Sequence, residues 1–222
     1  PVAALPIIVL AFGIVFGWYL SSSRLILSLV VLALADRAMV LFPPNDSGPE
    51  TLGPLLFAVT AFLIPLNLLA LSIVKNGAVS TWRGMLRLAL VLSQPFLALW
   101  ICLPEHSQFS TPLQHPILPL ETGLWTTIPQ PALLAYGSAA LLLAMRFALY
   151  RDPLDAGTLW ALLTSCLALQ SLRYGWSATN FLSAAGLILF LTVVQYAHQR
   201  TYRDDLTGAL GRVAYDECLA TL

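Results

Sequence analysis

FLSAAGLILFLTVVQY, residues 181–196, is an unbroken apolar stretch, enough for about four helical turns. It continues through AHQRTYR, residues 197–203, with no Gly or Pro to stop a helix. DDLTGALGRVAYDECLATL, residues 204–222, follows at once. The stretch reads as a membrane span that passes almost directly into the start of a soluble cytoplasmic module. Everything upstream then becomes the membrane-embedded input to that module.

Composition places the upstream chain in lipid. The protein is 58% hydrophobic and 10% charged, with a mean hydropathy of +0.79. A soluble domain carries about 25% charged residues, so too few polar side chains are present to coat a globule of this size. A bilayer is the natural solvent. Net charge is zero, which leaves no basic field for nucleic acid.

Stretches approaching the ~20 apolar residues that cross a bilayer occur at 2–20, 25–42, 52–74, 85–103, 130–150, 158–174 and 178–197. The expected fold is an all-α polytopic membrane protein, a bundle of about seven transmembrane helices. The first run lacks a basic flank and a small-residue cleavage site, so it reads as a span and not a signal peptide. Gln170, Ser171 and Arg173 crowd the end of the sixth.

Basic residues mark the cytoplasmic side of a membrane protein. Arg24, Lys75, Arg83, Arg87, Arg146, Arg151, Arg200, Arg203 and Arg212 fall on one side, nine of the eleven Lys and Arg. The opposite loops hold Asp46, Glu50, Glu105 and Glu121. An odd number of spans puts the N-terminus outside and the C-terminus in the cytoplasm. Residues 104–129 form a Pro-rich outer segment with His106, His115 and Trp125. It either covers the outer mouth of the bundle or tethers two spans.

Several residues stand out within the spans. Gly13 and Gly17, spaced GxxxG, and Gly186 permit close helix approach, within the chain or between copies. Pro65 and Pro95 interrupt helices beside Asn67 and Gln94, which suggests either a cavity or a hydrogen bond between helices. Asp36 and Arg37 are the sharpest intramembrane charges, and ionisable groups at depth are costly and default to functional roles. They point about 100° apart on a helix. Asp36 is expected to pair with Arg173, or to sit neutral against a hydroxyl or amide, and Gln170 joins this polar set.

Cofactor chemistry finds little support here. His106, His115 and His198 are not arranged to face one another across a bundle, as bis-histidine haem requires. The only lysine, Lys75, lies in a turn, which excludes a retinal-type Schiff base within the membrane. Cys102, Cys166 and Cys218 read as free thiols.

Asp204-Asp205-Leu206-Thr207-Gly208-Ala209-Leu210-Gly211-Arg212 resembles the D-x-L-T-G-L-x-N-R opening of the GGDEF family, the diguanylate cyclases. The motif residues carried over are Asp204, Leu206, Thr207, Gly208 and Arg212. Ala209, Gly211 and Val213 depart from the usual Leu, Asn and Arg. The resemblance divides the chain into a sensory domain at 1–197, a signalling-helix linker at 198–203 and the truncated start of an α/β GGDEF domain at 204–222.

The family joins two GTP into cyclic di-GMP across two facing GGDEF domains, with Mg²⁺ at the phosphates. The resemblance therefore implies a homodimer, GTP and Mg²⁺ bound beyond residue 222, and a bacterial inner-membrane location. No catalytic residue and no metal ligand falls on this sequence. Both ends are expected to continue. The input would be a small apolar ligand, a lipid or a partner membrane protein. The alternative function is a transporter or scaffold with an intramembrane Asp36 site.

Overall fold

Local signals start and stop each helix. Residues 5–44, 52–74, 79–103 and 126–202 are described by a computed structural model of the chain. Among them run α1 (Leu5–Tyr19), α2 (Ser23–Leu41), α3 (Leu52–Ile73), α4 (Trp82–Ile101), α5 (Gln130–Tyr150), α6 (Pro153–Ser171) and α7 (Ala178–Tyr202). No described residue lies in a strand. Thr81 Oγ1 accepts from Gly84 N at 3.2 Å and starts α4. Asp152 Oδ1 accepts from Leu154 N at 2.9 Å, with Pro153 as the first helical residue of α6. These caps move both starts upstream of the expected 85 and 158. A 3-10 turn, Leu172–Tyr174, closes α6 on Gly175, whose φ of +73° favours a residue without a Cβ.

Among the described residues four helices are long and apolar enough to cross a membrane: Leu52–Ile73, Trp82–Ile101, Gln130–Tyr150 and Ala178–Gln199. The other three expected spans fall short for identifiable reasons. α1 has only 15 residues. α2 carries Arg24, Asp36 and Arg37, and α6 carries Asp155 among several hydroxyl residues.

α2, α3, α6 and α7 close a ring of neighbours around the core, each packed on the next. α1 lies on α2 and α7, α5 on α3 and α6, and α4 on α2 and α3. Leu25, Leu29, Ile64, Leu68, Leu162, Leu169 and Leu189 fill the centre. α4 is held least: of its 20 residues only Gly84, Val91 and Ala98 are buried. Its outward face shows Met85, Leu86, Leu90, Phe96 and Leu97.

Outward faces this apolar suit a lipid solvent and not water. Most exposed Trp and Tyr side chains, Trp160 apart, lie at the two ends of the bundle, while Phe12 and Phe96 are exposed between them. Trp18, Tyr19, Trp82 and Tyr150 lie at the end where α2 begins, and Trp100, Tyr174 and Trp176 at the other. Aromatic rings settle at the two surfaces of a bilayer in this way.

Candidate ligand cleft and its polar framework

A cleft of about 260 Å³ opens between α2, α3 and α4. Its walls are mainly Leu, Ala and Ile side chains, with polar groups from Arg37, Thr60, Asn67 and Gln94. Pro95 also lines it. The amides close on each other. Asn67 Nδ2 donates to Gln94 Oε1 at 2.8 Å, and Gln94 Nε2 donates to Asn67 Oδ1 at 2.7 Å. Asn67 Nδ2 also donates to Leu63 O at 2.9 Å. Both alternatives raised by the two prolines thus coexist: a bond between α3 and α4, and a cavity beside it.

Asp36 does not meet Arg173. Arg37 folds back along α2, donating to Asp36 Oδ2 from Nε at 3.1 Å and also from Nη2. The long arginine stem spans the angular offset that separates neighbouring helical positions. Asp36 is 1% exposed and the Arg37 side chain 45% exposed, so a buried carboxylate anchors a half-exposed guanidinium. Arg173 lies exposed in the 3-10 turn after α6.

The other Asp36 oxygen behaves differently. Asp36 Oδ1 and Ser183 Oγ are buried, and neither has a hydrogen-bond partner. Both residues line one void of about 20 Å³ between α1, α2 and α7. Gly186 lines it too, and a Cβ there would lie 2.9 Å from Val9 Cγ1. A Cβ on Gly13 or Gly17 would strike Leu29 or Ile26 of α2. The small residues of α1 therefore serve packing inside the chain. Gln170 Oε1 accepts from Thr126 Oγ1 at 2.7 Å, tying the end of α6 to the segment before α5.

One polar cluster has no counterpart among the expected site residues. Arg24 Nη2 donates to Asp155 Oδ1 at 2.9 Å, Thr158 Oγ1 at 2.7 Å and Leu154 O at 3.1 Å. Arg146 Nε donates to Asp155 Oδ2 at 3.2 Å. Asp155 is fully buried between them. Its place in the first turn of α6 also favours a negative charge. Asp152 and Pro153 start α6 ahead of the expected 158 and so bring Asp155 into the helix.

Among the described residues no group of three or more His, Cys, Asp or Glu side chains gathers to hold a metal. Asp204, Leu206, Thr207, Gly208 and Arg212 lie outside the described residues, as does the Pro-rich segment up to residue 125. Comparison of the chain with protein-family models, with curated proteins and with solved structures finds no match.

Proposed function

We propose that the chain is the membrane-embedded input region of a diguanylate cyclase. In this reading seven helices span a bacterial inner membrane with the N-terminus outside. They bias the dimer geometry of GGDEF domains that begin at Asp204. The observation that carries it is α7, continuous from Ala178 to Tyr202 and packed on α1, α2 and α6. Its 25 residues extend about 37 Å, against a hydrocarbon core of about 30 Å. The helix thus overshoots the core, and Tyr202, its last described residue, lies two positions before the Asp204 that opens the family-like motif. A stiff helix passes a rotation or tilt onward with little slack, where a flexible linker would absorb it.

The chain's own part in such a cyclase is positional. Two GTP must face each other, and Mg²⁺ would supply charge neutralisation at the phosphates in the domain beyond residue 222. Helix α7 orients that domain. Inserting Gly-Ser-Gly-Ser after His198 should leave cyclic di-GMP synthesis running but unresponsive to the membrane region. Regulation unchanged by the insertion counts against the proposal.

The transporter alternative draws on the unpartnered Asp36 Oδ1. Against it, Arg37 balances that carboxylate, and the void beside it has room for about one water and for no larger solute.

A further inference from the structure

We infer that the cleft between α2, α3 and α4 takes the tail of a single-chain amphiphile of the fatty-acid type, whose carboxylate head docks on Arg37. The inference deepens the sensor reading, on which its regulatory meaning rests, by naming what enters.

Size argues first. Drug-sized sites occupy about 300–1,000 Å³, and this cleft has about 260 Å³. One alkyl chain suits it and two do not. Leu34, Leu63, Ile64 and Leu99 give the walls an alkyl character. The polar floor asks nothing of a tail, because Asn67 and Gln94 satisfy each other.

Charge argues next. A guanidinium carries five N–H donors in a planar fork. Arg37 commits Nε and Nη2 to Asp36, both on Oδ2. The far edge, with Nη1 and the second Nη2 hydrogen, stays available to a carboxylate in bidentate fashion. The buried Asp36 fixes the direction of that edge. The pair is neutral as it stands, so a singly charged head leaves one net negative charge, whereas a phosphate dianion would leave two. Arg37 also lies little more than one turn from the end of α2 at Leu41. A head there sits at bilayer-surface level while its tail follows the cleft inward. The third wall, α4, is the most lightly buried helix and so the easiest to displace.

The test reconstitutes the full-length protein in nanodiscs and labels it with a diazirine-bearing decanoate, mapping adducts by mass spectrometry. Expected is saturable labelling on α2, α3 and α4 lining residues such as Leu34, Leu63 and Leu99. Unlabelled decanoate should compete, and decanol and phosphatidylglycerol should not. Arg37→Gln should weaken binding about tenfold, as loss of a charged hydrogen bond does. That change strands Asp36, so Leu63→Trp, which fills the cleft and keeps the pair, is the second variant and should abolish labelling. Labelling spread over α1 and α5 without saturation, equal competition by phosphatidylglycerol, or labelling untouched by Leu63→Trp each overturns the assignment. Cyclic di-GMP output is read separately in the same discs. Confined, saturable labelling with no change in output upholds the cleft and removes the sensor reading.

Discussion

Arg24 Nη2 lies 2.9 Å from Asp155 Oδ1, joining the first turn of α2 to the first turn of α6 across 131 positions of sequence. The bond lies at the end of the bundle where α7 leaves, and Thr192 of α7 lines the same small space as Arg24 and Thr158. Arg146 takes the other carboxylate oxygen, so one buried acid is shared by two arginines. Asp155→Asn should therefore remove the buried carboxylate that Arg24, whose side chain is 8% exposed, donates to, and cost about 3–5 kcal/mol. Arg146, 30% exposed, keeps access to solvent, and Arg146→Gln should cost about 1 kcal/mol or less. Replacing Arg24 by Met and Asp155 by Leu together should recover much of the single-variant loss. Unfolding in mixed micelles, followed by circular dichroism, checks all three.

How the sequence concealed this network has a physical explanation. Arg24 and Arg146 sit beside apolar runs, so they read as orientation charges. RDPLDAG, residues 151–157, is dense in charge and carries Pro, so it read as a loop. Asp152 and Pro153 instead begin a helix, and that turns Asp155 inward. The same inward turn explains why α2 and α6 look too polar for spans while all seven apolar stretches form helices. Asp36, Thr158 and Ser165 are hidden in the ring of helices and not offered to the outer face. Asp36 stood out in the sequence because it and Arg37 interrupt an apolar run. Its partner did not, because the reach of an arginine side chain is invisible to helical periodicity. Ser183 gave no signal beyond small size, and only folding sets it beside Asp36.

Two glycines separate close packing from mere helix weakness. A Cβ on Gly157 of α6 would lie 2.2 Å from Thr192 Oγ1 and 2.6 Å from Thr192 Cβ on α7. Threonine is stiff at χ1, so the helices themselves must part. Gly157→Ala should destabilise by about 1–3 kcal/mol, and Thr192→Ala should restore part of the loss by removing the struck oxygen. At Gly137 of α5 nothing lies within 4 Å. Gly137→Ala should be neutral or stabilise by about 0.5–1 kcal/mol, because alanine is the better helix former. Thermal denaturation of the four proteins orders them, and equal effects at positions 137 and 157 would refute the close approach of α6 to α7.

The reciprocal amides of Asn67 and Gln94 should set how tightly α4 holds to the ring. α4 buries only three residues, so little apolar packing competes with this pair for control of the helix. Interhelical hydrogen bonds in membranes are worth about 0.6 kcal/mol on average and reach about 1.7. Here both amides donate and accept, at 2.8 and 2.7 Å, which argues for the upper part of that range. A double-mutant cycle with Asn67→Leu and Gln94→Leu should give a coupling of about 1 kcal/mol. Gln94→Leu leaves Asn67 a remaining acceptor in Leu63 O, so the single variant loses the tie between helices without stranding the whole amide. The consequence should be local. Amide hydrogen exchange of α4 should quicken about fivefold, the equivalent of 1 kcal/mol, while α6 and α7 exchange as before. Exchange that quickens equally in all helices would mean the pair supports the whole bundle and does not specifically latch the cleft.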